Sequence, residues 1–237
     1  MGDHGVVVLA AMARELRPLA RALGLQPGPV GGLPAWRGPR VVAVAVGVGP
    51  ERARAGANQV LDAVEARLVL VTGLAGALDP ALVVGDVVRP SAVVDVRTAR
   101  VLVPPLRDVA RSGVLATVER VHLGSGHPRG AATRAQLPDG VTAVDMETAA
   151  IAAVAEARGI AWDVVRGISD VAGALTPDIA ALLSPEGHVH VLAAARLVLR
   201  RPQTLGRLVR LGVGANRALR AATRAVLSDL AAGGGTS

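Results

Sequence analysis

Residues 141–170 read VTAVDMETAAIAAVAEARGIAWDVVRGISD. The apolar runs in this stretch predict a strand, a helix and a second strand. Acidic residues stand where each strand runs out: Asp145 and Glu147 at the first, Asp170 at the second. The helix between them is apolar along most of its length, which makes it a packing element. In open α/β sheets, ligands bind outside the carboxyl ends of the strands. Two such ends, each carrying acid, point to a site rather than to a solvated surface.

The same alternation extends outward from this stretch. Val6–Ala11 is a continuous apolar run, as a strand covered on both faces requires. Ala13–Leu23 has apolar residues at helical spacing, and Gly24 stops it. Gln26–Pro39, rich in Gly and Pro, reads as loop with a short hairpin. Arg40–Val46 is a second buried strand, Gly47-Val48-Gly49-Pro50 a tight turn, and Glu51–Ala63 a helix. Leu68–Thr72 is a third strand, entering a glycine-bearing turn at Gly73-Leu74-Ala75-Gly76-Ala77. Asp86–Val96, Val101–Val103 and Val114–Val118 read as strands, and Gly124–Pro138 as loop or weak helix. Strands alternating with helices predict an α/β fold of three layers, a mainly parallel twisted sheet flanked by helices. Residues 1–230 read as one domain, with a basic helical region from about 186.

Composition removes several chemistries. The 237 residues contain no Cys and no Lys, so there is no thiol nucleophile, disulfide, thiolate metal site or Schiff-base lysine. The lack of Cys fits a cytoplasmic protein. The net charge of +7 raises the question of nucleic acid. Only Trp36 and Trp162 are aromatic, however, and no zinc spacing or nucleic-acid module is present, so no such partner is expected. The apolar run at the N-terminus is too short to span a bilayer and lacks a basic leader, so it reads as a buried strand. His188-Val189-His190 lacks a third ligand, and no metal is expected.

Each candidate for chemistry has a plainer reading beside it. Glu15 follows the first strand and could serve only as a first-turn acid complementing the helix dipole. The turns at Gly47-Val48-Gly49 and Gly73-Leu74-Ala75-Gly76 let backbone approach a ligand, yet such turns are common in α/β proteins and neither is a dinucleotide or P-loop fingerprint. Asp145 is either a ligand-side acid or an N-cap. Asp170 ends an apolar strand, Trp162–Val165, and is either an acid of raised pKa or part of an Asx-turn.

Taken in order, these pieces resemble the nucleoside phosphorylase superfamily, in the branch containing methylthioadenosine/S-adenosylhomocysteine nucleosidase. The matching residues are Ala11-Met12 with Glu15; Gly47-Val48-Gly49; Thr72-Gly73-Leu74-Ala75-Gly76-Ala77 followed by Val84-Gly85-Asp86-Val87-Val88; Val144-Asp145-Met146-Glu147; and Val165-Arg166-Gly167-Ile168-Ser169-Asp170. The resemblance implies that Met146 and Glu147 bind the ribose, with the Glu147 carboxylate accepting the sugar hydroxyls. It implies that Asp170 protonates the purine and that Glu15 activates the attacking water. Arg166 and Ser169 support that set, Ala75 and Gly76 bring backbone to the substrate, and Val121 belongs with the substrate-binding residues. No cofactor is implied beyond inorganic phosphate if the enzyme is a phosphorylase. A homo-oligomer is implied.

The chain departs from the nucleosidase pattern at Leu74, where that branch has Ser, and in Ala116–His122, which lacks the branch's aromatic over the base. These segments, with Arg200-Arg201-Pro202, are more similar to the hopanoid-associated group that removes adenine from adenosylhopane. From Val191 to Val226 there are eight arginines and no acid, with Leu and Val at helical spacing. That pattern suits either a peripheral contact with an anionic membrane or a closing helix with its arginines in water. The expected function is release of adenine from a purine nucleoside, adenosylhopane above others. The alternatives are a methylthioadenosine/S-adenosylhomocysteine nucleosidase, a phosphate-dependent phosphorylase, or a non-enzymatic nucleoside-binding regulator. Arg52, Arg89 and Arg97 are the candidates for holding a phosphate.

Overall fold

The computed structural model describes residues 5–105, 110–111, 113–119, 137–171 and 203–233. In chain order they form β1 (Val6–Ala10), α1 (Ala13–Ala22), β2 (Gln26–Pro27), β3 (Ala35–Arg37), β4 (Val41–Ala45), α2 (Pro50–Ala63) and β5 (Leu68–Ala77). There follow β6 (Val87–Val88), β7 (Ala92–Asp95), β8 (Arg100–Leu102), β9 (Val114–Thr117), β10 (Val141–Asp145), α3 (Thr148–Ala157), β11 (Ala161–Val171) and α4 (Gln203–Gly233). Val121, all five histidines and the basic stretch from 186 to 202 lie outside the described residues.

Successive side chains of a strand point to opposite faces, so a run of Val and Ala covers both. Val7, Leu9, Val42, Val44, Val69, Val71 and Val164 face one way and pack with Ala53, Ala57 and Val60 of α2 and with α3. Val8, Ala10, Ala43, Ala45, Leu70 and Val165 face the other way, against Leu16, Leu19 and Ala20 of α1 and Ala222 and Val226 of α4. This is the expected three-layer sandwich. The hairpin expected in 26–39 forms between β2 and β3.

All the strands among the described residues belong to one mixed sheet, and its centre is β5. Along one edge β11 pairs with β5 in parallel from Leu68 to Ala77. The other edge is divided: β1 runs parallel to Leu68–Val71, while β10 runs antiparallel to Gly76 and Ala77. Among the described residues, Thr72–Ala75 have no strand partner on that edge. Their backbone groups must find side-chain partners or water.

Three expectations are corrected here. The third strand does not end at Thr72; β5 continues through Gly73–Ala77 because β11 and β10 pair with that segment. Likewise Arg166–Asp170 lies within β11, which reaches Val171, and Asp170 is not in a turn. The expected strand Asp86–Val96 is broken at Arg89-Pro90-Ser91, since proline cannot donate to a ladder.

Candidate active site

The divided edge of β5 is filled by charge. Glu15, in the first turn of α1, accepts the Leu74 N–H at Oε1 (3.1 Å) and the Met12 N–H at Oε2 (2.9 Å). It therefore does what a first-turn acid does, closing its own helix terminus, and also reaches 59 residues along the chain to the sheet. The Thr72 carbonyl accepts from Arg166 Nη1 at 3.0 Å. Gly73 lies between these contacts with φ +132°, and a Cβ built there would sit 2.7 Å from Arg166 Nη1 and 2.8 Å from Glu15 Oε1. Only glycine admits both groups.

Arg166 has the strand parity of Trp162, Val164 and Ile168, which places its side chain on the buried α3 face. It is 1% exposed. A buried guanidinium needs a counter-ion and acceptors. Asp145 Oδ2 supplies the charge, and Thr148 Oγ1 accepts from Nε (3.1 Å) and Nη2 (2.7 Å). Asp145 also accepts the Thr148 N–H (2.9 Å) at the start of α3, so the N-terminal role weighed for it is present. Arg166 presents its charge from inside the protein, not from an open wall.

Glu147 heads α3 and turns the other way. Its Oε1 accepts the Gly49 N–H at 2.8 Å, across 98 residues, which joins the turn after β4 to the site. Met146 is half-buried beside it. Burial, then the negative charge of Asp145, pushes the Glu147 carboxyl up to about 8, against the pull of Arg166 and the Gly49 amide. Glu15 adds to the upward push. The Glu15 carboxyl is itself raised by burial, with Arg166 the main opposing influence.

Asp170 depends on an irregularity. The β5–β11 register pairs Ile168 with Ala75 but Asp170 with Gly76, so Ser169 is the extra residue of a bulge. Without it Asp170 would share the face of Ile168; the bulge moves it to the face of Gly76. Gly76 leaves the room, since a Cβ there would lie 3.3 Å from Asp170 Oδ2. Ser169 Oγ donates to Asp170 Oδ1 at 2.5 Å and lies 3.4 Å from the buried Ala75 carbonyl. Burial raises the Asp170 carboxyl, while the Ser169 hydrogen bond lowers it. Glu15 meets β5 at Leu74 and Asp170 meets it at Gly76. Two residues along a strand are roughly 7 Å. The two acids therefore stand at separate points along the same strand.

The structure thus brings Glu15, Ala75, Gly76, Met146, Glu147, Arg166, Ser169 and Asp170 to one region at the carboxyl ends of the central strands. Sequence reasoning missed Thr117, which donates to Asp145 Oδ1 (2.6 Å) and accepts the Ala149 N–H (3.0 Å). A threonine ending a strand gives no signal of such a role. Of the arginines considered for phosphate, Arg89 forms a two-pronged pair with Asp229 of α4 (2.6 and 2.9 Å). Arg97 lies 3.2 Å from Glu51. The Arg52 side chain packs on Gly47.

The raised carboxyls set the pH dependence of folding. A carboxyl that binds its proton more tightly when folded stabilises the fold fully below its ordinary range, and that contribution is lost as pH rises through the folded value. For Glu147 the window runs from 4.5 to about 8. One such group costs ~1.4 kcal/mol per pH unit across its window. Unfolding of the ligand-free protein is expected at progressively lower temperature between pH 5 and pH 8, and Glu147→Gln is expected to flatten that slope. Thermal melts of both proteins at several pH values check it; parallel curves refute it.

A profile of the Phosphorylase superfamily matches residues 6–109 and 106–198. No curated protein matches the chain significantly. Among solved structures, Arabidopsis thaliana 5′-methylthioadenosine nucleosidase is 18% identical, covers 95% of this chain and 96% of its own, and superposes with a TM-score of 0.68. The futalosine hydrolase of Helicobacter pylori is 16% identical over 95% of this chain and 96% of its own, with a TM-score of 0.65. The S-adenosylhomocysteine nucleosidase of Streptococcus pyogenes, solved with 5-methylthiotubericidin, is 19% identical over 90% and 98%, with a TM-score of 0.58. The fold is shared with these nucleosidases, and the chain belongs to the phosphorylase superfamily.

Proposed function

We propose that the chain hydrolyses the N-glycosidic bond of an adenine nucleoside and releases adenine. The observation that carries this reading is the carboxylate of Glu15, held by the Met12 and Leu74 amides in the divided edge of β5, two residues from where Asp170 faces Gly76. Breaking the bond leaves a poor purine anion and a sugar resembling an oxocarbenium ion. Asp170, its proton held by burial, protonates the base. Glu147 accepts hydrogen bonds from the sugar hydroxyls, and Met146 binds the ribose with it. Glu15 takes the proton of the attacking water, and Ala75 and Gly76 provide the backbone wall. Val121 completes the substrate-binding set by resemblance. Water rather than phosphate is the acceptor in this reading, and the two-pronged commitment of Arg89 to Asp229 supports it.

The nucleoside we favour is adenosylhopane, and the outer face of α4 supports a lipid-linked substrate. Arg210, Arg217, Arg220 and Arg224 are exposed there with Val209 and Val213, so the helix has a basic face carrying apolar side chains. Its opposite face packs on the sheet through Ala218, Ala222 and Val226. Among the described residues no helix is long and apolar enough to cross a membrane. A basic face of this kind suits a peripheral contact with anionic lipid, and a homo-oligomer accompanies this reading.

The test is adenine release by the full chain from adenosylhopane in anionic phosphatidylglycerol vesicles, from methylthioadenosine, from S-adenosylhomocysteine and from inosine, each with and without inorganic phosphate. Adenine from the vesicles without phosphate is the expected result. A strict phosphate requirement overturns hydrolysis, preference for the thioethers overturns the lipid substrate, and nucleoside binding without release makes the chain a binding protein.

A further inference from the structure

Among the described residues, Arg166 is a single buried cation beside three buried acids, Asp145, Glu15 and Glu147. Folding alone does not explain such an arrangement, because well-packed apolar groups commonly replace buried ion pairs at no loss of stability. The donors and acceptors around it form a directed chain. The Ala149 N–H is donated to Thr117 Oγ1, and Thr117 Oγ1 donates to Asp145 Oδ1. The other Asp145 oxygen accepts from the Thr148 N–H, the Thr148 hydroxyl and Arg166 Nη2. Thr148 Oγ1 then accepts from both Nε and Nη2 of the same guanidinium. These bonds fix the guanidinium in plane and direction, leaving Nη1 to bond Thr72 and face Gly73 and Glu15.

We propose that Thr117, Asp145 and Thr148 are positioning residues that hold Arg166 between Glu15 and Glu147 and so set the balance of charge on the two active-site acids. This deepens the nucleosidase reading and rests on it for the roles of the two acids. Among the described residues, the charged groups facing each acid are few. Glu147 is acted on by Asp145, Arg166 and Glu15, and Glu15 by Arg166 and Arg14. Asp145 therefore acts twice, directly on Glu147 through its own charge and indirectly by orienting the cation that both acids feel. A purely structural role for Thr117 and Thr148, which carry no charge, would stabilise the start of α3 and leave both titrations alone.

The experiment is a carboxyl-carbon NMR titration of the full chain beside adenine-release kinetics, for wild type, Asp145→Asn, Thr148→Val and Thr148→Ser. Removing the Asp145 charge is expected to lower the Glu147 midpoint by roughly 1 pH unit, the usual effect of deleting a like charge at close range. It is expected to lower kcat by ~10²-fold through displacement of the guanidinium. Thr148→Val keeps the Asp145 charge but removes the hydroxyl oxygen that accepts both guanidinium bonds, so the cation shifts, kcat falls and the Glu147 and Glu15 midpoints rise by roughly half a unit or more. Thr148→Ser restores the hydroxyl and kcat. A Glu147 midpoint unmoved in Asp145→Asn, or kcat within about threefold of wild type in Thr148→Val, overturns the proposal. Should Asp145→Asn fail to fold, the Thr148 pair decides. If wild type releases no base from any nucleoside, the nucleosidase reading fails separately, and the titration still tests the electrostatic coupling.

Discussion

Asp170→Asn is expected to slow base release by ~10²–10⁴-fold, the usual worth of one positioned proton transfer. Asparagine keeps the shape of the side chain and can still pair with Ser169, so the bulge and the Gly76 contact are retained. What it lacks is the proton. Burial holds that proton on Asp170 above the ordinary carboxyl range, despite the Ser169 bond that favours ionisation. A purine leaves poorly as an anion, so withholding the proton acts on the chemical step and leaves nucleoside binding close to wild type. The measurement is kcat with adenosine-type substrates beside a 4-nitrophenyl riboside, whose leaving group needs no protonation. The deficit should shrink to less than about tenfold on the nitrophenyl compound. Equal deficits on both substrates would remove Asp170 from the role of general acid. Wild-type kcat should also fall on the alkaline side as Asp170 ionises, and that limb should be missing in the variant.

Glu15→Gln is the second large effect, again ~10²–10⁴-fold in kcat, for the opposite reason. Glu15 must lose its proton to serve as base. Burial opposes that loss, and the Arg166 charge, the Met12 and Leu74 amides and Arg14 favour it. Wild-type activity should therefore decline on the acid side, and the variant should lack that limb. Glutamine can accept from only one of the two backbone donors, and its amide nitrogen then faces a second N–H. A stability loss on the order of 1 kcal/mol is expected, or about 2–4 °C in a chain of this size. The loss in rate exceeds what so small a destabilisation produces, so circular-dichroism melts run beside the kinetics separate the two. Retention of more than a tenth of wild-type kcat would show that water is activated elsewhere.

The layers were legible because burial on both sides of a sheet imposes continuous apolar runs. Val6–Ala10, Val41–Ala45 and Leu68–Val71 show that pattern and occupy adjacent central positions. The ends of elements were less legible. Gly73 reads locally as a strand breaker, yet pairing of Gly73 with Arg166 on β11 carries β5 straight through it. Pairing partners far away in sequence override a local preference of about 1 kcal/mol. The bulge at Ser169 left no trace in the residue pattern either, although it decides which face Asp170 occupies.

The order of motifs was enough to pick out Glu15, Glu147 and Asp170 as acids that meet at one region, because acids at strand ends fall at the carboxyl edge of an α/β sheet. Their working environment was not. Glu15 and Leu74 are separated by 59 residues, and Glu147 and Gly49 by 98; contacts of that kind leave no spacing to read. The raised carboxyls arise from burial, which is a property of the packed molecule and of no single segment. Arg166 was picked out by the order of motifs, but Thr148, which accepts from it, and Thr117, which bonds Asp145, were not, since a hydroxyl becomes a positioning group only when three elements converge on it. The sequence thus carries the layers and the identity of the acids through local period and order. The divided edge of β5, the face of Asp170 and the charge on each acid come from convergence of distant segments, where a low-dielectric interior makes every unpaired group costly.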